Sequence, residues 1–145
     1  MLFRSIEVVR PSTEALGIQL KATLEQPPRL IWCDRDRIQQ VIWNLLSNAI
    51  KFTRQGGSIE VRLENTPGCA HIRISDTGVG ISADFLPHVF ESFRQGSSFT
   101  TRMHGGLGVG LAIVRYIVER HGGAVRAFSR GEGQGATFVV DLPYS

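Results

Sequence analysis

Apolar residues recur at helical spacing over one long stretch of the chain. Between Asp34 and about Thr53 they fall at Ile38, Val41, Ile42, Leu45, Leu46, Ala49, Ile50 and Phe52, a pattern of period near 3.6 that predicts a helix. Asp34 is a good N-cap, and Gly56-Gly57 closes the segment. Asn44, Asn48 and Lys51 form a polar stripe of their own beside the apolar one, spread over about 60° of arc at about 100° per residue. Elsewhere alternation dominates. Ile59, Val61 and Leu63, then Ala70, Ile72 and Ile74, alternate with polar neighbours over residues 58–64 and 69–75. Asn65-Thr66-Pro67-Gly68 between them is turn chemistry, so the pair predicts a β-hairpin. Residues 125–129 and 136–142 read as a second strand pair around GEGQG, and residues 18–23 and 29–33 as further short strands. Residues 5–9 alternate weakly and predict a short strand; residues 11–16 predict a short helix that stops at Gly17. A short helix is expected around residues 83–91, and a longer one opened by the glycines of residues 105–110 and ended by Gly122-Gly123. Helices mixed with hairpin strands give an α/β or α+β class, one sheet with helices on one face.

Composition narrows this further. The chain has 145 residues, 42% hydrophobic and 20% charged, which suits one domain with one core. The net charge of +3 is compatible with a phosphate-bearing ligand but too small and scattered for nucleic acid. No apolar run approaches a membrane span, and the first residues lack a signal-peptide core. The expected location is therefore cytoplasmic, with no membrane contact by this domain. Cys33 and Cys69 have no metal-ligand spacing and read as free thiols. His71, His88, His104 and His121 are scattered singly, which argues against a zinc site.

Three segments carry candidate chemistry. Asp76-Thr77-Gly78-Val79-Gly80 follows a strand directly; its glycines permit close backbone approach to a ligand, and the Asp76 carboxylate can accept from an amino group such as that of adenine. The Asn44–Asn48–Lys51 stripe offers amide oxygens for a hard cation such as Mg²⁺ and a point charge for phosphate. Gly105-Gly106-Leu107-Gly108-Val109-Gly110 precedes a helix, where free N–H groups and the helix dipole favour an anion. It matches neither GxGxxG nor a Walker loop. The plainer readings are an Asp-Gly turn, a solvated helix face and a flexible linker.

In order, NLLSNAIK, DTGVGI, FLPHVFESF, GGLGVGLAIV and GATF resemble the catalytic, ATP-binding domain of bacterial sensor histidine kinases, within the superfamily shared with gyrase, Hsp90 and MutL. The tract FRQGSSFTTRMHGGLGVGLAIV is similar to that of hybrid kinases. The resemblance spans nearly the whole chain and implies a single domain over residues 1–145. It implies a two-layer sandwich, a mixed and mostly antiparallel sheet on about three helices (the Bergerat fold), with ATP under a mobile lid formed by residues 94–104. Asn44, Asn48 and Lys51 match the N box, with Asn48 the implied Mg²⁺ ligand and Asn44 and Lys51 the implied catalytic residues. Asp76, Gly78, Gly80 and the adjoining Ile81 match the first glycine box, where the aspartate reads adenine. Gly106, Leu107, Gly108 and Gly110 match the second. Thr137 matches the threonine that supports the adenine site. Phe90 and Phe93 match the F box, though their spacing also suits plain core. Arg94 and Arg102 flank the lid and are either phosphate contacts or solvated; nothing marks His104 as a phosphoacceptor.

Family members that hydrolyse ATP carry a glutamate where this chain has Asn44, and an amide is no base near neutral pH. Kinase activity is thus implied over ATPase activity. No H-[DE]-x-x-[TN]-P segment occurs, so the phosphoacceptor histidine is expected on a separate dimerisation domain, with sensor and receiver domains also outside the chain and a response regulator as an indirect partner. The implied function is transfer of the γ-phosphoryl of Mg·ATP to that histidine. The alternatives are a serine kinase or slow ATPase of the same superfamily, and an ATP-gated interaction module.

Overall fold

The computed structural model describes residues 2–25, 34–91 and 107–144. The expected strand at residues 29–33, the lid at 94–104, and Cys33, Phe93, Arg94, Arg102, His104 and Gly106 lie outside them.

Among the described residues, three helices cover one face of a five-stranded sheet of order β1-β2-β3-β5-β4. The strands are β1 (Gln19–Leu24), β2 (Ser58–Thr66), β3 (Cys69–Asp76), β4 (Ala124–Phe128) and β5 (Ala136–Pro143). Among the described residues only the β1–β2 pairing is parallel, which requires a crossover, and the helix between them supplies it. The expected mixed, mostly antiparallel two-layer architecture is therefore present. Ile59, Val61, Ile72, Ile74, Phe138 and Val140 are buried beneath the helices, while the alternate positions Glu60, Arg62, His71 and Arg73 lie on the other face.

The crossover helix α2 (Arg35–Phe52) matches the expected bounds closely. The Asp34 carboxylate accepts from the N–H groups of Asp36 and Arg37 at 3.1 and 3.3 Å, and Ile38, Val41, Ile42, Leu45, Leu46 and Ala49 are buried. Helix α3 (Leu107–Arg120) packs on α2. Asp34 N–H donates to His121 Nε2 at 2.9 Å, and Asn44 Nδ2 donates to the Gly110 carbonyl at 3.3 Å. The start of α2 thus meets the end of α3, and its middle meets the start of α3, so the two run antiparallel.

Two local expectations fail. Residues 5–9 and 11–16 are not a strand and a short helix but one helix, α1 (Leu2–Ala15), with Pro11 inside it. Its buried residues Ser5, Ile6, Val9 and Thr13 follow helical spacing. Packing that stripe against α2 and β1 outweighs the β-branched run and the donor lost at proline. Gly17, at φ 68°, ends α1 as expected: its N–H bonds the Glu14 carbonyl and that of Ile18 bonds Thr13, a Schellman closure. Around residues 83–91 only a 3₁₀ turn forms, at Leu86–His88. Pro87 removes a donor there, and buried Phe85 and Val89 anchor the segment. The β2–β3 turn is also tighter than expected, because Thr66 pairs with Cys69 and leaves only Pro67-Gly68 outside the ladder.

Candidate functional site

Asp76 is the last residue of β3, opposite Ile59 on one side and Ala136 on the other. Its side chain falls on the helix-covered face, in phase with Ile74. Gly78 N–H donates to Asp76 Oδ1 at 2.8 Å. Burial raises the carboxyl's pKa above its ordinary value, and the backbone N–H bonds from Gly78 and Ala136 oppose that rise.

The loop after Asp76 is clamped from two sides. Val79 N–H donates to the Phe52 carbonyl at 3.0 Å, which fixes the loop to the end of α2. A Cβ on Gly78 would collide with that same carbonyl, so the approach requires glycine. On the other side lies the β4–β5 loop. Gly133 N–H donates to Val79 O at 2.7 Å and Gly135 N–H to Gly78 O at 3.1 Å. Gly80 adopts φ 72°, and a Cβ there would strike the Gly131 carbonyl. Ile81, expected among the nucleotide-binding positions, is buried in the core, with its N–H donated to Ser129 Oγ at 3.0 Å.

The α2 stripe borders this loop. Lys51 is exposed in the last helical turn, its Nζ 5.7 Å from the Phe52 ring centre. Asn44 is not a solvated side chain but ties α2 to the glycine segment through Gly110. Asn48 is half-buried, and its amide nitrogen is buried without a hydrogen-bond partner among the described residues. Such an orphan is rare, because an unmet buried polar group costs about 1–3 kcal/mol.

The second glycine segment differs from expectation in one respect. Leu107, Gly108 and Gly110 lie within the first turn of α3 rather than before it. The anion-binding logic survives, since the first four N–H groups of a helix have no acceptor inside it. A Cβ on Gly110 would meet nothing within 4 Å among the described residues. Thr137 requires a correction. Its hydroxyl lies 3.0 Å from Ser75 Oγ, its register partner. The period of two along β5 sends it to the sheet face opposite Asp76, and Ala136 takes the place beside the carboxylate. Phe90 is core, meeting Phe138 edge to face at 6.0 Å. Cys69 is a free, half-buried thiol.

Residues 33–145 match the family described as histidine kinase-, DNA gyrase B- and HSP90-like ATPase. The chain belongs to this family. Hybrid signal transduction histidine kinase D of Dictyostelium discoideum is 42% identical over 76% of this chain and 9% of its own length. Autoinducer 2 sensor kinase/phosphatase LuxQ of Vibrio parahaemolyticus is 40% identical over 97% of this chain and 17% of its own. The crystal structure of full-length ShkA in complex with AMPPNP superposes with a TM-score of 0.83 at 31% identity, covering 99% of this chain and 29% of that one. The chain thus spans less than a third of the length of each. Within the ATPase family it is a domain of the histidine-kinase kind, and ATP binding comes with that membership.

The residues present fit the nucleotide. A half-buried carboxylate stands at one end, beside a loop held by backbone bonds. At the other end are an unpartnered amide, a lysine and a first helical turn in which no described residue stands over Gly110. Among the described residues no group of three or more His, Cys, Asp or Glu could hold a metal ion. Among the same residues no helix is long and apolar enough to cross a membrane.

Proposed function

We propose that this domain binds Mg·ATP between α2, the Asp76 loop and the first turn of α3, and passes the γ-phosphoryl group to a histidine on a separate phosphoacceptor domain, in two-component signalling in the cytoplasm. The observation that carries this reading is the orphaned Asn48 amide, on the same helix stripe as Asn44 and Lys51. A half-turn about χ2 presents its oxygen to Mg²⁺ instead of its nitrogen. Bound there, the cation would neutralise charge on the phosphate oxygens. Asp76 accepts from the exocyclic amine of adenine, Lys51 faces the phosphate tail as a point charge, and the first-turn N–H groups of Leu107, Gly108 and Gly110 take phosphate oxygens, with Gly106 before them. In the transfer, an imidazole nitrogen of the acceptor forms a bond to the γ-phosphorus as the bond to the β–γ bridging oxygen breaks and ADP leaves. The acceptor supplies its own nucleophile, so the chain needs no base. Asn44, whose amide is engaged by the Gly110 carbonyl, holds the phosphate end in place rather than activating water. The receiver of a response regulator then takes the phosphoryl group from the histidine, outside this chain.

The test mixes the chain with a supplied histidine-helix domain and γ-labelled Mg·ATP. Acid-labile, base-stable label on the acceptor is the expected result. Acid-stable label would mean a serine kinase, phosphate release without acceptor a slow ATPase, and tight ATP binding with no transfer an ATP-gated module; each overturns the proposal.

A further inference from the structure

We propose that Ser129 is a positioning residue for base recognition, and that the β4–β5 loop it organises sets how sharply the site distinguishes adenine from guanine. The inference rests on the ATP-binding reading of Asp76 above. Ser129 directly follows β4, and its hydroxyl is saturated. It accepts from Ile81 N–H at 3.0 Å and from Gly131 N–H at 3.2 Å, and donates to the Gly135 carbonyl at 2.7 Å. A hydroxyl has one donor and two acceptor positions, so all three are used, and none remains for a ligand. The three partners span the whole arrangement. Ile81 ends the base-side loop, Gly131 carries the carbonyl that packs on Gly80, and Gly135 precedes Ala136, whose N–H bonds Asp76.

Removing the hydroxyl therefore leaves two N–H groups and a carbonyl without their partner, all on the frame that aims Asp76. The carboxylate itself would remain, with its Gly78 bond. What is lost is the fixed separation between the two loops, hence the alignment of Asp76 with the edge of the base. Adenine presents an amine donor at that edge and guanine a carbonyl acceptor, so a loosened carboxylate forfeits discrimination before it forfeits binding of the phosphate tail. Specificity of this kind depends on groups held by a rigid supporting shell.

The experiment titrates the full chain, as wild type, Ser129→Ala and Ser129→Thr, with ATP, GTP, adenosine and tripolyphosphate, and records melting of each variant. Ser129→Ala is expected to bind ATP and adenosine about tenfold more weakly, the loss of roughly one hydrogen bond. Its ATP-over-GTP preference should fall, while tripolyphosphate affinity holds. Ser129→Thr, which keeps the hydroxyl, is expected to restore the preference. If Ser129→Ala does not fold, Ser129→Cys, of similar size but a weak acceptor, carries the same comparison. Unchanged preference in the variant lacking the hydroxyl overturns the inference and leaves the ATP reading intact. Equal loss of adenosine and tripolyphosphate also overturns it, because that marks general destabilisation. A wild-type chain that binds no adenine nucleotide overturns the ATP reading itself.

Discussion

The two ends of the site are built in opposite ways. Around Asp76 almost every polar group described has a partner: Gly78, Val79 and Ile81 bond to α2 or to the β4–β5 loop. Around Asn48 a buried amide nitrogen has none among the described residues, and no described residue stands over Gly110. Folding alone completes the base end. On the proposed reading, the phosphate end keeps its donors and acceptors for what binds there. Preorganisation would then fall where selectivity is needed, and unmet capacity where charge must be neutralised.

Substitutions can break this contrast. Gly80→Ala attacks the completed end and should have the largest effect. The left-handed backbone and the collision with the Gly131 carbonyl together should cost about 3 kcal/mol, read as a lowered denaturation midpoint. A midpoint unchanged from wild type would mean the two loops are not tightly clamped.

Asp76→Asn should weaken ATP, ADP and adenosine alike, by about 1.5–3 kcal/mol, or roughly ten- to hundredfold, without lowering stability. The sign follows from the raised carboxyl pKa. A group whose value rises on folding contributes stability below its unfolded-state value, and that contribution is lost as pH climbs through the raised one. At neutral pH the half-buried charge is a burden that asparagine lifts. Adenosine affinity of the wild type should accordingly decline on acidification through the raised value, and that of the variant should not. Calorimetric titrations between about pH 4 and 7 decide it; parallel profiles would remove Asp76 from the base contact.

Asn48→Ala tests the incomplete end. Affinity in the presence of Mg²⁺ should drop by about tenfold, and metal-free affinity much less, since the amide oxygen suits a hard cation. Stability should hold or rise, because an orphaned donor disappears. A wild-type ratio of the two affinities would argue against cation contact.

The smallest effect belongs to Gly110→Ala. Alanine exceeds glycine in a helix by about 1 kcal/mol, and the new methyl meets no described atom within 4 Å. The domain should therefore gain up to about that much stability while ATP affinity falls. Stability and affinity that move together would show that the space over Gly110 is not kept for the nucleotide.

Helix α2 was legible from the sequence because its cap at Asp34, its period and its closing residues all agree. The hairpins were legible because one buried face enforces strict alternation. Helix α1 was legible only in its second half. The β-branched run before Pro11 speaks locally for a strand, Pro11 reads as a helix start, and only distant packing joins the two halves. Asp76, Asn44 and Asn48 stood out through local motifs. Ser129 did not, since its partner Ile81 lies 48 residues away in sequence and a serine before glycines looks like any turn. Thr137 was misplaced for a simpler reason: a motif gives the position along a strand, whereas the pleat decides the face.

The position of β5 between β3 and β4 bears on how the chain is made. Carbonyls of Gly78 and Val79 and the amide of Ile81 all wait for partners from residues 129–135, and Ser129 leaves the ribosome 48 residues after Ile81. The N-box helix and the Asp76 strand therefore emerge well before the segment that finishes the pocket. On the proposed reading, nucleotide competence arrives only with that hairpin, so a chain stalled before it carries the motifs of an ATP site without the site itself.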